Sequence, residues 1–322
     1  LVATELIGGS VALAVNSPTR RRARRPPPAP PRPTVASPTS PPTAPSDDAG
    51  VVRGVDVELL TDSRAALVAI TAACRAATRT IWIAQLAFDA DCVAIEASDG
   101  REPQPLLDAI LEAAGRRTDA AAGGTERAPV DVRIVLNGGL LLDTAPALRR
   151  AIAERRGGAN VRVRTVRAFP QVMHAKMLVV DGRDAFLMGS SFVNGYWDDA
   201  RHVAAGDPSA APGAGDRPLH DVAVRLRGAA AGAVLARWFT SLWASAEPAD
   251  GETGGAEPVV PDTAGRSIDG THDGRAAVRI LRTTPGAPTT AGGGRTEILD
   301  AYLEAIGRAT ECIYLESQYF SA

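Results

Sequence analysis

Between Val51 and Ala246 the apolar residues change period repeatedly, from spacings of three and four to short continuous runs. That alternation restricts the fold more than any other feature of the chain. Leu67, Ile70 and Cys74 recur at helical spacing within 63–78, with Asp62 or Ser63 available as a cap. The next residues, Thr80 to Ala87, form an apolar run of strand length. The pattern then repeats: helix at 103–115, strand Val130–Leu136, helix at 143–156, strands Val161–Val166, Val172–Val180 and Ala185–Met188. Strand Asp221–Leu226 and helix Ala229–Ala244 follow. Helices alternating with strands that are apolar throughout predict an α/β fold with a parallel or mixed sheet flanked by helices.

Around this region the composition changes. Residues 1–15 are mildly apolar, and the arginine cluster Arg20–Arg25 follows them, the reverse of the order in a secretory signal. Pro18 to Ser46 is dominated by Pro, Ser, Thr and Arg and cannot bury a core, so residues 1–50 are expected to be a disordered, arginine-bearing segment. Residues 117–128 and 204–217 have loop composition, and 247–275 has the Gly, Pro, Asp and Thr content of a linker. The domain reading is a first lobe over 51–246 and the start of a second over 276–322. Shifted by 232 residues, Ala66–Phe88 lies on Ile298–Phe320. Ala77 and Thr78 then meet Ala309 and Thr310, and Ile81-Trp82-Ile83 meets Ile313-Tyr314-Leu315. Both are helices expected to run straight into a strand, the pattern of an internal duplication. The same shift carries the counterpart of His174 past residue 322, so the second copy reads as truncated.

Charge and cysteine usage exclude some functions. The formal net charge of −2 gives no bulk electrostatic attraction to nucleic acid. Cys74, Cys92 and Cys312 are odd in number and widely spaced, which suits buried, inert thiols better than a disulfide framework or a zinc site. Of the 35 basic residues only one, Lys176, is a lysine. Arginine bias accompanies an Ala-, Gly- and Pro-rich composition. A lysine held against that bias is expected where a compact ammonium must meet a phosphate.

Lys176 stands two residues after His174, one of four histidines. On a strand both side chains leave the same face. An ammonium neutralises phosphoryl oxygens, and a neutral imidazole nitrogen is a nucleophile or proton carrier near neutral pH. Asp181 closes the strand at a turn with Gly182. Gly189, Ser190, Ser191 and Asn194 form a polar corner able to donate to phosphate. His202, near Asp198, Asp199 and Arg201, reads as solvated surface or substrate rim. His220 reads as structural or rim rather than catalytic, and His272, with Asp269 and Asp273, as part of a solvated linker rather than a metal site. Tyr196 and Trp197 belong either to a groove or to the packing.

The segment from Met173 to Asn194 resembles the phospholipase D superfamily, whose signature is His-x-Lys-x4-Asp followed by Gly-Ser-x-Asn. The likeness extends to His220-Asp221-Val-Ala-Val-Arg-Leu-Arg-Gly228, to the helix ending Trp238-Phe-Thr-Ser-Leu-Trp243, and to Ile313–Phe320. Two departures stand out: seven residues rather than six separate Asp181 from Gly189, and Asn194 lies four residues beyond Ser190 rather than two. The resemblance implies a duplicated α/β enzyme in which two such motifs face each other. One histidine forms a phosphohistidine and the other protonates the leaving alcohol, with no metal or other cofactor. It assigns catalysis to His174, Lys176, Asp181 and an orienting Asp221, and substrate binding to Ser190, Ser191 and Asn194. The leading expectation is a phospholipid substrate at a membrane surface, cleaved or transferred as by phospholipase D or cardiolipin synthase; the compartment stays open between the cytoplasm and the membrane periphery. A nuclease is the alternative, disfavoured by charge. A catalytically silent phosphate- or lipid-binding half is a third reading, and a homodimer pairing two copies of His174 would supply the missing half-site.

Overall fold

The computed structural model describes residues 2–3, 11–15, 51–95, 103–116, 129–139, 143–167, 172–203, 219–249, 258, 276–284 and 295–315. Its strands are β1 (Val2–Ala3), β2 (Val11–Val15), β3 (Val51–Leu60), β4 (Thr80–Gln85), β5 (Val93–Ile95), β6 (Gln104–Pro105), β7 (Asp131–Asn137), β8 (Val161–Val166), β9 (Met177–Val180), β10 (Asp184–Met188), β11 (Ala223–Arg227), β12 (Ala276–Thr284) and β13 (Arg295–Thr296). Its helices are α1 (Ser63–Ala76), α2 (Leu106–Gly115), α3 (Ala145–Ala153), α4 (Ala229–Ser245) and α5 (Glu297–Arg308). One mixed sheet runs in the order β1-β2-β12-β3-β11-β10-β9-β4-β7-β8. β4, β7 and β8 are parallel, and the remaining neighbours are antiparallel. The α/β expectation with a mixed sheet holds.

Both faces of the sheet are covered, which is why its strands read as continuous apolar runs. On one face Ile81, Ile83, Val132, Ile134, Leu178, Val180 and Phe186 pack against α1, α2 and α3 through Leu67, Ile70, Leu107, Ile110 and Leu148. The alternate residues Trp82, Ala84, Val135, Val179, Ala185 and Val224 pack against α4 through Leu235, Phe239 and Trp243. Trp82, Phe239 and Trp243 stack in series with centroids 5.2 and 5.9 Å apart, so the aromatic helix ending noted in the sequence is the second face of the core. Asp62 caps α1, accepting from the Ala65 amide at 2.7 Å. Cys74 and Cys92 are buried thiols as expected. Burial pushes Cys74 up to about 12 and Cys92 higher still. Cys312 is exposed, against expectation.

Several sequence boundaries shift. The strand expected over Val172–Val180 is ordered as β9 only from Met177, which pairs with Ala84 of β4 and Leu187 of β10. Residues 172–176 lead into β9 outside any strand. Val2–Ala3 and Val11–Val15 are strands, with β2 pairing to β12, so part of the segment expected to be disordered adds to the sheet. Residues Pro18 to Ser46 and His272 lie outside the described residues. After the 247–275 stretch, β12 pairs with β3 in this same sheet. α5 is present where the 232-residue shift puts a copy of α1. Of the strand expected after it, Ile313, Tyr314 and Leu315 are exposed and belong to no strand, and residues 316–320 lie outside the described residues, whereas β4 is a strand between β7 and β9. α5 buries Ile298 and Ala301 and turns Leu299, Leu303 and Ile306 to solvent. No described helix is long and apolar enough to cross a membrane.

Asp181 holds the two halves of the first face together. It sits at positive φ (52°), and Gly182 follows at 68°. Its carboxylate accepts four hydrogen bonds, from the Thr78 amide and hydroxyl, the Arg79 amide and the Thr80 amide, at 2.8 to 2.9 Å. These donors form the turn between α1 and β4. One side chain thus fixes where the helix ends and the central strand begins. Each such bond contributes roughly 1 kcal/mol or more, and unpaired donors cost more. Asp181→Ala is therefore expected to lower unfolding stability by about 2–4 kcal/mol, read from the urea midpoint. A change below about 1 kcal/mol would contradict this assignment.

Candidate active site

The parallel strands β4 and β7 end at one rim of the sheet, with Gln85 and Asn137 as their last residues. β9 and β11 begin at that rim and β10 ends there. His174 and Lys176 lie on the segment entering β9. Two bonds hold this segment. The Met173 amide donates to the buried Asn137 Oδ1 at 3.0 Å, and the Lys176 carbonyl accepts from the Met188 amide at 3.0 Å. The chain is thus fixed on both sides of His174 without belonging to the ladder.

Within the pair, Lys176 Nζ lies 3.0 Å from His174 Nδ1 and 3.4 Å from Nε2, and also donates to the His174 carbonyl at 3.3 Å. Lys176 is only 7% exposed, unusual for a lysine. Burial, slightly offset by the Asp221 carboxylate, brings its ammonium down to about 8. Burial and the adjacent ammonium push the His174 imidazole down to about 3. At neutral pH the pair is therefore a neutral imidazole beside a weakly acidic ammonium. Both depressed bases oppose folding when protonated. His174 costs stability as pH falls below 6.5 towards 3, and the Lys176 penalty is relieved as pH rises from 8 to 10.5.

The remaining sequence-derived residues divide. Asp221 is brought to the rim. Its carboxylate fills the space where a Cβ on Gly189 would stand, and its Oδ1 accepts from the Val222 amide at 2.8 Å. It acts on Lys176 through charge, and among the described residues no hydrogen bond joins it to His174. Asp181 is at the far end of β9, five residues from Lys176, or about 16 Å at strand rise; it holds the α1–β4 turn and does not meet the pair. The Ser190 and Ser191 hydroxyls are buried without partners among the described residues. They line a narrow cleft with Asp221, Ser63, Leu67 and Tyr196. Asn194 is spent on backbone: its Oδ1 accepts from the Val93 amide at 2.9 Å and its amide donates to the Asp91 carbonyl at 3.3 Å. Trp197 is in the core.

Comparison with known proteins gives a partial answer. No family model matches the chain, and no curated protein matches it. Among solved structures, a phospholipase D family member, Nuc from Salmonella typhimurium, matches at TM-score 0.39 and 18% identity, over 60% of this chain and 97% of that one. NucT from Helicobacter pylori matches at TM-score 0.39 and 13% identity, over 60% and 99%. TrmBL2, an archaeal chromatin protein with a novel mode of DNA binding, matches at 0.35 and 16%, over 60% and 54%.

Two rim residues were not singled out from sequence. Asn137 ends a strand and looks like loop punctuation, yet it holds Met173. Gln85 is fully buried, its Nε2 reaching Met188 Sδ at 3.8 Å while Oε1 has no partner among the described residues. It stands one register step past the Ala84–Met177 pair, beside Lys176 on the same face. A glutamine inside an otherwise apolar strand was the available signal.

Because the chain has one lysine, a 13Cε-lysine-labelled sample yields a single side-chain resonance to titrate. Its midpoint is expected near 8; titration near the ordinary lysine value of about 10.4 would show a solvated ammonium and refute the buried pair.

Proposed function

We propose that the chain carries one half of a phosphodiesterase site of the phospholipase D type, with His174 as nucleophile and Lys176 as the phosphate-binding cation. The observation that supports this most is the contact of a buried ammonium with a half-buried, neutral imidazole at the sheet rim. In the free site the ammonium occupies an imidazole lone pair. A phosphodiester offers Lys176 stronger acceptors, and as the ammonium turns to the phosphoryl oxygens it releases that lone pair. The ring nitrogen then forms the N–P bond while the P–O bond to the leaving alcohol breaks. The departing oxygen needs a proton, and Lys176 is needed as a cation on the phosphate. A second histidine is the natural donor, and the sequence has only one His-x-Lys pair. It comes from a second copy or from further chain. Water, giving its proton back to that histidine, then attacks phosphorus and releases His174.

In this reading Asp221 keeps Lys176 charged and the free Ser190 and Ser191 hydroxyls lie beside the phosphate path. Asp181 and Asn194 act on the fold. The substrate class is a phosphodiester. The net charge of −2 gives no bulk attraction to a nucleic-acid backbone, so phospholipid is the leading reading, and the nucleic-acid backbone, which offers the same chemistry, is the alternative. Vesicles of mixed phospholipids and supercoiled plasmid, each incubated with the chain and with His174→Ala, separate the two. Head-group release lost in His174→Ala by at least about 10³-fold supports the lipid reading; plasmid nicking lost to the same extent supports the nuclease. Turnover of either substrate that survives His174→Ala refutes the role of the pair.

A further inference from the structure

Beside the rim is a second cluster that the phosphodiesterase reading does not use. Asp198 is 5% exposed, and a single oxygen, Oδ2, lies 2.9 Å from His202 Nδ1 and 3.0 Å from His220 Nδ1. The two rings meet edge to face with centroids 4.7 Å apart, and the three ligand atoms all lie within 4.8 Å of one another. The histidine side chains are 57% and 51% exposed, so the group opens to water on one side.

We propose that Asp198, His202 and His220 bind a single zinc-class transition-metal ion. Two imidazoles and a carboxylate are the donor set of three-ligand zinc sites that leave a fourth position for water, and the half-exposed side supplies that position. Tetrahedral metal–ligand bonds of about 2.0–2.1 Å put neighbouring ligand atoms about 3.3 Å apart. The two edges to Asp198 are within a few tenths of an ångström of this. Imidazole donors disfavour magnesium and calcium, which take oxygen ligands.

An independent feature is the backbone at His202. It adopts φ +47°, a conformation L residues rarely enter. A turn bond from the His202 amide to the Asp199 carbonyl at 3.0 Å holds it there, and Arg201 secures Asp199 at 2.6 Å. Asp198 itself is fixed through its carbonyl, which accepts from the Arg64 amide at the start of α1. A sparsely populated backbone over-determined by its surroundings is a mark of a functional position. Here it directs the His202 ring onto Asp198.

The ion would have a definite mechanical effect. One metal ties His202 and His220, far apart along the chain, to each other and, through Asp198, to α1. His220 immediately precedes Asp221, whose carboxylate packs on Gly189 and acts on Lys176. Metal at this cluster therefore braces an active-rim carboxylate without touching phosphate. It is a positioning site, and it stands whether or not the phosphodiesterase reading does.

The test uses untagged full chain stripped with a chelator, and zinc alone by calorimetry, with cobalt(II) as a visible-absorption surrogate. One ion per chain is expected, with tetrahedral cobalt bands and a higher melting temperature in zinc than in chelator. Affinity is expected to fall more than about 100-fold in His202→Ala and in His220→Ala and to be retained in His174→Ala. Because both ligand histidines are half exposed, the variants are expected to melt as the wild type does in chelator. Absence of one-to-one uptake, uptake that survives the double variant His202→Ala/His220→Ala, or uptake lost in His174→Ala would overturn the proposal.

Discussion

An ammonium group kept almost out of water is the constraint on which the rest of this molecule turns. Removing a charge from water costs several kcal/mol unless neighbouring groups replace its hydration. Here a carbonyl, an imidazole and a nearby carboxylate do so only in part. The ammonium is left with a depressed proton affinity and with hydrogen-bonding capacity it has not used well. A site in that condition gains more from a phosphate than a solvated surface lysine would. The same burial keeps the imidazole neutral. Two ordinary residues acquire complementary chemistry because the sheet holds them where water is scarce.

That placement follows from the topology. The parallel pair β4–β7 ends at the rim, and β9 returns antiparallel beside β4. The chain entering β9 must therefore cross the carboxyl ends of the parallel strands, where side chains from several strands converge. Asp181, at the other end of β9, fixes the turn from α1 into β4. The residue that completes the recognisable spacing thus works at a distance, by setting the register in which Lys176 meets Gln85.

Much of this was legible in the residues. The period changes across Ser63–Ala87 and Val130–Val166 locate α1, β4, β7, α3 and β8, because a strand buried on both faces has no choice but to be apolar. Composition and spacing drew attention to His174 and Lys176, and the resemblance of the surrounding segment to the phospholipase D superfamily gave the pair its expected role. Other features were not. Spacing places Asp181 and Asn194 near the pair in sequence, but their partners Thr78–Thr80 and Val93 are about a hundred residues away along the chain. No local pattern records such long-range bonds. His202 and His220 are separated by a segment of loop composition, and each read singly as surface. Only folding brings both onto Asp198. Asn137 resembles a boundary, because a polar residue at a strand end reads as one, whereas Gln85 interrupts the apolar run Thr80–Ala87 and is the more legible of the two.

The central claim is that His174 attacks phosphorus, and it is tested most directly by trapping the covalent product. Bis(p-nitrophenyl) phosphate has a leaving group that departs without protonation, so one half-site suffices to form the adduct even where the second histidine is absent. Acid-free quenching and peptide mapping by mass spectrometry are predicted to find a p-nitrophenyl-phosphoryl group on the peptide bearing His174. It should form with a burst of p-nitrophenolate and be missing in His174→Ala. Nitrophenolate release with no adduct on that peptide, or an adduct on another residue, would contradict the account.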